Sequence, residues 1–468
     1  MKILSIKSIK SWIIKNKLPI GLFLCALAIR LIFFGINFTH NDFNLLNTIH
    51  GQDGYYEISQ NLLQGHGFSF DTTPPYHPEP LRPPVWPVLI AFFAKIFGSY
   101  WASFMFEIIL GSAIPVLGMY LARYIIPEPY VRSGSVWVAI LLILDPYSIL
   151  LSFIFYTETC FTFFLLLFFL FLFRYLKEQT MRNAAWASVF LALATLVKPT
   201  TQYFVVLIPL ALLFIFRKKW SWNLGRQLGA FVAIFVLLIS PWLYWNHQTF
   251  GVWGTSAQPA FNLYVYLVPT VLSIDNHTNF QTEYNNFLGK NNPGLDTITL
   301  ANSPYYQHVA LGIIMQHKKA LVESGVISFV TFFTHDGMLT FLEYSGVTIN
   351  NILTKPAISM IGHPSELISL IAHYADSPAI LVFIFRIIWI LISLLFLTGI
   401  YFYIKKEGWK SYGVLAVLII AYFTLTTMIN GLGVNARFRV PVEALIFIFA
   451  VYGFCVIKER IFKITAHL

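Results

Sequence analysis

Four places in this sequence hold ionisable side chains that a reaction at a membrane surface could use. The segment Gly51-Gln52-Asp53-Gly54-Tyr55-Tyr56-Glu57 sets a carboxylate among tyrosines, in a stretch too polar for hydrocarbon. A carboxylate in such a loop can act as general base towards a hydroxyl, which contributes about 10² to 10⁴ in rate. The turn Phe155-Tyr156-Thr157-Glu158-Thr159 puts a second acid between two long apolar runs, where an unpaired charge is expensive. Two acids on one face could share a metal, or divide the roles of base and electrostatic support. The third group is cationic: Arg82, Lys198, Arg437 and Arg439 each stand at the end of an apolar element, and guanidinium forks suit phosphate oxygens. The fourth is intramembrane: Arg30 and Arg386 fall inside apolar runs, where structural pairing is expected, for Arg30 with Glu107 or Asp145. Plainer readings stand beside these: a solvated loop aspartate, a carboxylate at a helix start, and cations reaching for lipid headgroups.

Other chemistries find little support. The sequence has no Walker A, HExxH or strand-borne GxGxxG pattern, and His50, His66 and His77 match no metal-ligand spacing. Cys25, Cys160 and Cys455 sit in or beside apolar runs, without a CxxC, and read as structural membrane cysteines. Most aromatic residues suit lipid-facing packing and interfacial belts. Tyr55, Tyr56, Tyr156, Trp86 and Trp242 are the subset placed to line a sugar or polyprenyl site.

The elements that must position these residues are membrane helices. Hydrophobic residues make up 57% of the 468 and charged ones 11%, against about 25% charged in an average soluble domain. The apolar content comes in blocks of about 20 residues, the length that crosses a bilayer. The expected fold is an all-α polytopic transmembrane bundle of about ten spans, at 18–38, 101–124, 134–153, 159–175, 183–197, 200–216, 228–247, 379–404, 411–429 and 440–457. The first, behind the basic residues Lys2 to Lys17, reads as a retained helix rather than a cleaved signal, with a cytoplasmic N-terminus. The apolar stretch 83–97, which carries Lys95, reads as an interfacial helix, because that choice leaves the short basic loops on one side. The cytoplasmic face then holds Arg217-Lys218-Lys219, Lys410 and both termini. The net charge of +10 is explained by those loops, which excludes a nucleic-acid partner. Asp53, Arg82, Glu158, Lys198, Arg437 and Arg439 all land on the outer face of what would be a cytoplasmic (inner) membrane.

Three regions follow. Residues 1–248 form an N-terminal transmembrane catalytic module with a first outer loop at 39–100. Residues 249–378 form a polar outer cap of short helices, including an amphipathic one at 322–333 and a turn at Asn291-Asn292-Pro293-Gly294. Residues 379–468 supply the C-terminal transmembrane helices.

The order of these motifs resembles a family. An Arg late in the first span is followed by Asp53 with Tyr55-Tyr56, Arg82-Pro83-Pro84, Thr157-Glu158 and Leu196-Val197-Lys198-Pro199-Thr200. Pro241-Trp242 with Asn246, Phe250-Gly251 and Arg437-Phe438-Arg439-Val440-Pro441 complete the series. The series resembles the polytopic GT-C glycosyltransferases of the protein O-mannosyltransferase and aminoarabinose-transferase type, over most of 18–265 and over 430–455. The resemblance implies a donor sugar on a polyprenyl monophosphate, and transfer to a lipid, glycan or protein acceptor outside the cytoplasm with inversion at the anomeric carbon. It matches Asp53 and Glu158 to the two loop acids, and Arg82, Lys198 and Arg437 to basic positions. Where that family often has Arg before the matched Asn, this chain has Trp245. The larger members carry a soluble C-terminal domain; here acceptor recognition is expected of 249–378.

The mechanism expected from this reading holds the donor phosphate on Arg82, Lys198, Arg437 and Arg439. Asp53 is the base, and Glu158 orients the acceptor or helps hold a divalent cation, Mg or Mn. Tyr55, Tyr56, Tyr156 and Asn246 contact sugar or acceptor. The competing readings are a flippase for a lipid-linked sugar, which should show internal repeats or helices broken at the midplane, and a membrane polysaccharide polymerase or ligase.

Overall fold

The protein was analysed as a computed structural model that describes residues 16–49, 53–291, 298–347, 372–375, 377–409 and 411–465, together with residues 365 and 369. Lys2, Lys7, Lys10, Lys15, His50, Gly51, Gln52, the turn at 292–294, most of 348–376 and Lys410 lie outside the described residues.

Helices make up the fold, and among the described residues the single β-type contact is an isolated bridge between Ser69 and Pro78. The N-terminal half runs α1 (Lys17–His40), α2 (Leu45–Ile49), α3 (Tyr55–Gln64), α4 (Val85–Phe97), α5 (Trp101–Ile125), α6 (Val131–Leu144) and α7 (Pro146–Leu150). It continues through α8 (Glu158–Glu178), α9 (Met181–Val197), α10 (Phe204–Ile215) and α11 (Trp222–Phe250). The middle comprises α12 (Gln258–Phe261), a π-helical turn (Asn262–Leu267), α13 (Val268–Asp275), α14 (Phe280–Asn291), α15 (Ser303–Ile314), α16 (Lys318–Thr334) and α17 (Met338–Tyr344). The C-terminal part holds α18 (Ile380–Glu407), α19 (Tyr412–Thr427) and α20 (Glu443–Thr465), with short 3₁₀ turns from Met428 to Val442.

Seven described segments are long and apolar enough to cross a membrane, and α16 with α17, bent by 61°, makes an eighth when counted as one broken span. Three of the ten expected spans appear as shorter apolar helices: α6 with 14 residues, α9 with 17 and α10 with 12. Proline explains two of these lengths. The residue before proline is pushed out of the helical region. Asp145 is therefore extended, ends α6, and caps α7 by accepting a 2.7 Å hydrogen bond from the Ser148 N–H. Lys198, before Pro199, is extended in the same way and ends α9. A lysine at a break of this kind can leave the helix surface and reach across a cleft.

The bundle core sits where α20 packs on α18, with α8 between α9 and α5. Two glycines allow the closest approach. A Cβ at Gly399 would stand 1.9 Å from the Phe449 carbonyl oxygen, and one at Gly453 would stand 2.4 Å from that of Leu395. Small residues at crossings are how membrane helices gain packing without a hydrophobic driving force. The opposite faces of α11 and α18 stay apolar and exposed, as at Leu237 and Leu397.

The middle segment divides. Residues of α12 to α15 close over a separate apolar cluster that includes Tyr264, Val268, Phe287, Tyr306 and Ile314. α16 joins that cluster to the bundle, with Ala320 in the cluster and Phe333 stacked on Phe396, while α17 belongs to the bundle and Arg386 pairs with Asp336 at 2.6 Å. The sequence places 322–333 in the outer cap as an amphipathic helix. Its polarity is inverted, since Val322, Val326 and Phe329 are exposed while Ser324 and Ser328 are buried. Such a face suits lipid rather than water. Arg30 also departs from expectation: its guanidinium donates to Ser148 Oγ and the Ala26 carbonyl, both at 3.4 Å, rather than forming an ion pair with Glu107 or Asp145.

Candidate active site

The loop after α1 turns sharply where it presents its acid. Asp53 and Gly54 both take positive φ, 51° and 74°, and turn the chain into α3. Gly54 is required twice over: its backbone is left-handed, and a Cβ there would meet the Phe70 ring at 2.2 Å. Asn61 Nδ2 pins the returning strand by donating to the Ser69 and Asp71 carbonyls, each at 2.8 Å. Glu79 then fixes the Arg82 turn, accepting from the Leu81 N–H at 2.8 Å and from Arg82 Nη1 at 3.1 Å. The guanidinium lies 5.4 Å from the Phe70 ring centre and 5.8 Å from that of Tyr55. Burial alone would lower the Arg82 pKa, but Glu79, Tyr55 and Asp53 outweigh it and raise it. Burial, with Asp53 beside it, lifts the Tyr55 phenol well above the usual tyrosine range, so Tyr55 offers a hydroxyl proton at neutral pH.

Glu158 is the first residue of α8 and is fully buried. Its Oε1 accepts from Lys198 Nζ at 2.7 Å and from Arg437 Nε at 2.6 Å. Arg437 also donates from Nη2 to Asp53 Oδ2 in a short ion pair, and its guanidinium lies 3.9 Å from the centre of the Tyr156 ring. The result is a chain of alternating charge, Asp53, Arg437, Glu158 and Lys198, with Arg437 at its hub. Members come from four remote segments: the loop before α3, the start of α8, the end of α9 and the 3₁₀ turn Ala436–Phe438. Asn435 sets that turn by accepting the Arg437 N–H on Oδ1 at 2.9 Å, and His335 Nδ1 accepts the Ala436 N–H at 3.3 Å.

Asp53, Arg82, Lys198 and Arg437 line one cavity of about 500 Å³, together with Tyr55 and residues of α12 and the π turn. Glu158 lies behind its wall. Among the described residues three cations and one half-buried carboxylate line the cavity, and Glu79 and Glu158 pair with those cations from behind it, so the cavity offers an anion charged N–H donors rather than a net positive charge. Its volume is that of a small-molecule site.

Not every candidate named from the sequence joins them, and the reasons are geometric. In a 3₁₀ turn of three residues per turn, positions two apart diverge, so Arg439 points into the bundle while Arg437 faces the cavity. Arg439 is fully buried, 3.2 Å from Glu443, donating to the Phe332 carbonyl at 2.8 Å and lying over Trp389. Tyr56 turns to the outside of α3, accepting from Gln60 at 2.6 Å and packing edge-on against Tyr100. Asn246 holds backbone instead of lining the cavity: its Nδ2 donates to the Gly254 carbonyl at 2.8 Å. Trp245 stacks on Trp242 with ring centres 4.7 Å apart. His66 stacks on Tyr76, and His77 pairs with Asp71. Sequence reasoning missed Glu79 and Asn435. Both had a signal, an acid three residues before Arg82 and an Asx-type turn former two residues before Arg437.

Among the described residues no three His, Cys, Asp or Glu side chains converge to hold a metal. The space between Asp53 and Glu158 is taken by the Arg437 guanidinium, so these two carboxylates do not fit a shared divalent cation.

Comparison with known proteins falls on the family that the motifs resemble. Residues 81–245, which include Arg82, Glu158 and Lys198, match the family profile described as dolichyl-phosphate-mannose-protein mannosyltransferase. No curated protein matches the chain. Among solved structures, the Archaeoglobus fulgidus oligosaccharyltransferase tethered with an acceptor peptide aligns over 96% of this chain and 50% of its own, at 13% identity and a TM-score of 0.49. The same organism's AglB in complex with an inhibitory peptide and a dolichol-phosphate aligns over 94% and 51%, at 17% identity and 0.46. ArnT from Cupriavidus metallidurans bound to undecaprenyl phosphate aligns over 92% and 77%, at 12% identity and 0.39. The chain spans about half the length of the oligosaccharyltransferase it aligns with.

Proposed function

We propose that this protein is a membrane glycosyltransferase that moves a sugar from a polyprenyl-phosphate donor to an acceptor hydroxyl or amine on the extracytoplasmic face. The observation that carries the reading is the charge chain from Asp53 through Arg437 and Glu158 to Lys198, opening with Arg82 on one cavity. The donor phosphate takes Arg437, Lys198 and Arg82 as partners, and in doing so competes with Asp53 for Arg437. The freed Asp53 carboxylate accepts the acceptor's proton as the acceptor oxygen or nitrogen bonds to the anomeric carbon. The bond from that carbon to the phosphate oxygen breaks on the opposite face, which inverts the anomeric configuration. Charge that gathers on the leaving polyprenyl phosphate is stabilised by cations already in place, the preorganised electrostatic contribution that usually dominates such steps. Glu158, buried behind Arg437 and Lys198, holds those two cations rather than touching the acceptor. No step is assigned to a divalent cation.

The test is transfer by the full chain in proteoliposomes supplied with labelled polyprenyl-phosphate sugars and with nucleotide sugars. Transfer from a polyprenyl-phosphate sugar that falls at least 100-fold in Asp53→Asn supports the reading, in line with general-base catalysis. Transfer from a nucleotide sugar contradicts the donor assignment, and label that crosses the bilayer unchanged without transfer from any donor contradicts the reaction and favours a flippase.

A further inference from the structure

Arg437 stands in a stretch of chain that cannot hold its own shape. Met428–Gly433, Ala436–Phe438 and Val440–Val442 are 3₁₀ turns of six, three and three residues, and Val434 and Asn435 between the first two are extended. Such turns have poorer hydrogen-bond geometry than an α-helix, and closing one turn offsets little of the cost of ordering it. What aims Arg437 must therefore come from outside the stretch.

One face of α16 supplies it. Ser328 Oγ donates to the Gly431 carbonyl at 2.9 Å, and the Phe332 carbonyl accepts from Arg439 Nη1 at 2.8 Å. His335 Nδ1, just past the helix end, accepts from the Ala436 N–H at 3.3 Å. Steps of four and three residues put these groups in one row along the helix. The row continues the small polar face, Ser324 and Ser328, that α16 buries. α18 in turn anchors α16: Ser393 Oγ donates to the Phe333 carbonyl at 2.6 Å, and Arg386 Nε donates to Asp336 Oδ2 at 2.6 Å.

The last grip sits at the break between α16 and α17. His335 is extended, and Asp336 Oδ1 accepts from the Met338 N–H at 2.8 Å. Gly337 takes φ 71°, and a Cβ there would stand 2.3 Å from the Tyr147 ring. His335 Nδ1 accepts from the Gly337 N–H at 3.1 Å as well as from Ala436. Two N–H groups on one ring nitrogen require its lone pair, so the proton of the neutral imidazole is on Nε2. The next N–H along, that of Arg437, goes to Asn435 Oδ1 at 2.9 Å. Consecutive peptide N–H groups at Ala436 and Arg437 are both held by side chains, and the second belongs to the hub of the charge chain.

We infer that His335 is a positioning residue for Arg437: its unprotonated Nδ1 locks the 3₁₀ turn in the rotation that brings the guanidinium to Asp53, Glu158 and the donor phosphate. The inference rests on the glycosyltransferase reading. The cavity is lined by Asn435 and Arg437 but not by His335, Asp336 or Arg386, so His335 acts through the turn. Without its acceptor the Ala436 and Gly337 N–H groups lose their partner, and the turn pivots about the extended Val434 and Asn435.

The experiment measures equilibrium binding of undecaprenyl phosphate to the full-length protein in nanodiscs, with the thermal unfolding midpoint of each variant alongside. His335→Asn keeps a side-chain oxygen at about the reach of Nδ1, His335→Gln carries it further out, and His335→Leu has no acceptor. Binding is expected to weaken about tenfold in His335→Leu and His335→Gln, the scale of a lost buried hydrogen bond. His335→Asn should stay within about twofold of wild type. In an Arg437→Ala background, His335→Leu should change affinity by no more than about twofold, because its effect passes through the missing guanidinium. A role in the fold alone predicts the same loss with and without Arg437. Equal losses in the two backgrounds, wild-type binding by His335→Leu, or His335→Asn binding no better than His335→Gln would overturn the positioning role. The Asn and Gln pair decides if the leucine variant does not fold. A wild type that binds undecaprenyl phosphate no better than an uncharged polyprenol overturns the glycosyltransferase reading, and the role of His335 falls with it.

Discussion

At the scale of single residues, Arg437 explains why this site needs two acids. A guanidinium has a fixed fork and cannot be aimed by its own flexible stem. Glu158 holds the Nε edge and Asp53 takes Nη2, while the Tyr156 ring backs the plane. Glu158 is the member with no exposure, and it anchors two cations at once. Replacing it leaves both without their buried counter-charge, and breaking a buried pair costs about 3–5 kcal/mol. Glu158→Gln is therefore expected to lower the thermal unfolding midpoint in detergent by several degrees and to weaken polyprenyl-phosphate binding, although Glu158 does not reach the cavity. Unchanged lipid binding in a destabilised variant would mean that Glu158 supports the fold alone. Glu158, Arg82, Lys198 and Arg437 were legible in the sequence because each is a charge at the end of an apolar run, a position where charge needs a reason, and Asp53 because it sits among tyrosines in a polar loop between apolar runs. Arg439 met the same criterion and points elsewhere. Its direction depends on the 3₁₀ turn between it and Arg437, which composition does not reveal.

At the scale of elements, proline sets where side chains leave the helices. Asp145-Pro146 splits an expected span, and Lys198-Pro199 frees the lysine that meets Glu158. Both breaks could be read from the dipeptide, yet hydropathy alone ran straight through the first. α16 was harder to read. Its polar residues are small and buried while its exposed face is apolar, an arrangement that a periodicity judged for water does not anticipate. Packing between α18 and α20 offers a direct check on the bundle. Gly399→Ala puts a methyl where a carbonyl oxygen already sits at 1.9 Å, and overpacking costs about 1–3 kcal/mol. Thermal unfolding should show that loss, whereas Leu237→Ala, 71% exposed on α11, should leave the midpoint nearly unchanged. Equal effects at the two positions would contradict the packing described.

At the scale of the whole molecule, the site is an assembly of distant segments. Asp53 and Arg437 are 384 residues apart and meet in one ion pair, so the loop before α3 and the C-terminal turns must lie on the same membrane face. The basic residues on the short loops are the basis for proposing that this face lies outside. With Cys25, Cys160 and Cys455 replaced, a membrane-impermeant maleimide on intact cells should label Gln281→Cys in α14, and should reach Asn223→Cys at the start of α11 only after permeabilisation. The reverse pattern would put the cavity in the cytoplasm and contradict an extracytoplasmic reaction. The central claim is that donor phosphate and Asp53 compete for Arg437. Its most direct test is the equilibrium affinity of the full-length protein for undecaprenyl phosphate in wild type, Asp53→Asn and Arg437→Ala. Losing a partly exposed competing ion pair of about 1 kcal/mol should tighten binding about fivefold in Asp53→Asn, while transfer is lost, and Arg437→Ala should weaken it. An Asp53→Asn protein that is folded but binds the lipid phosphate more weakly than wild type, or equally well, would contradict the account.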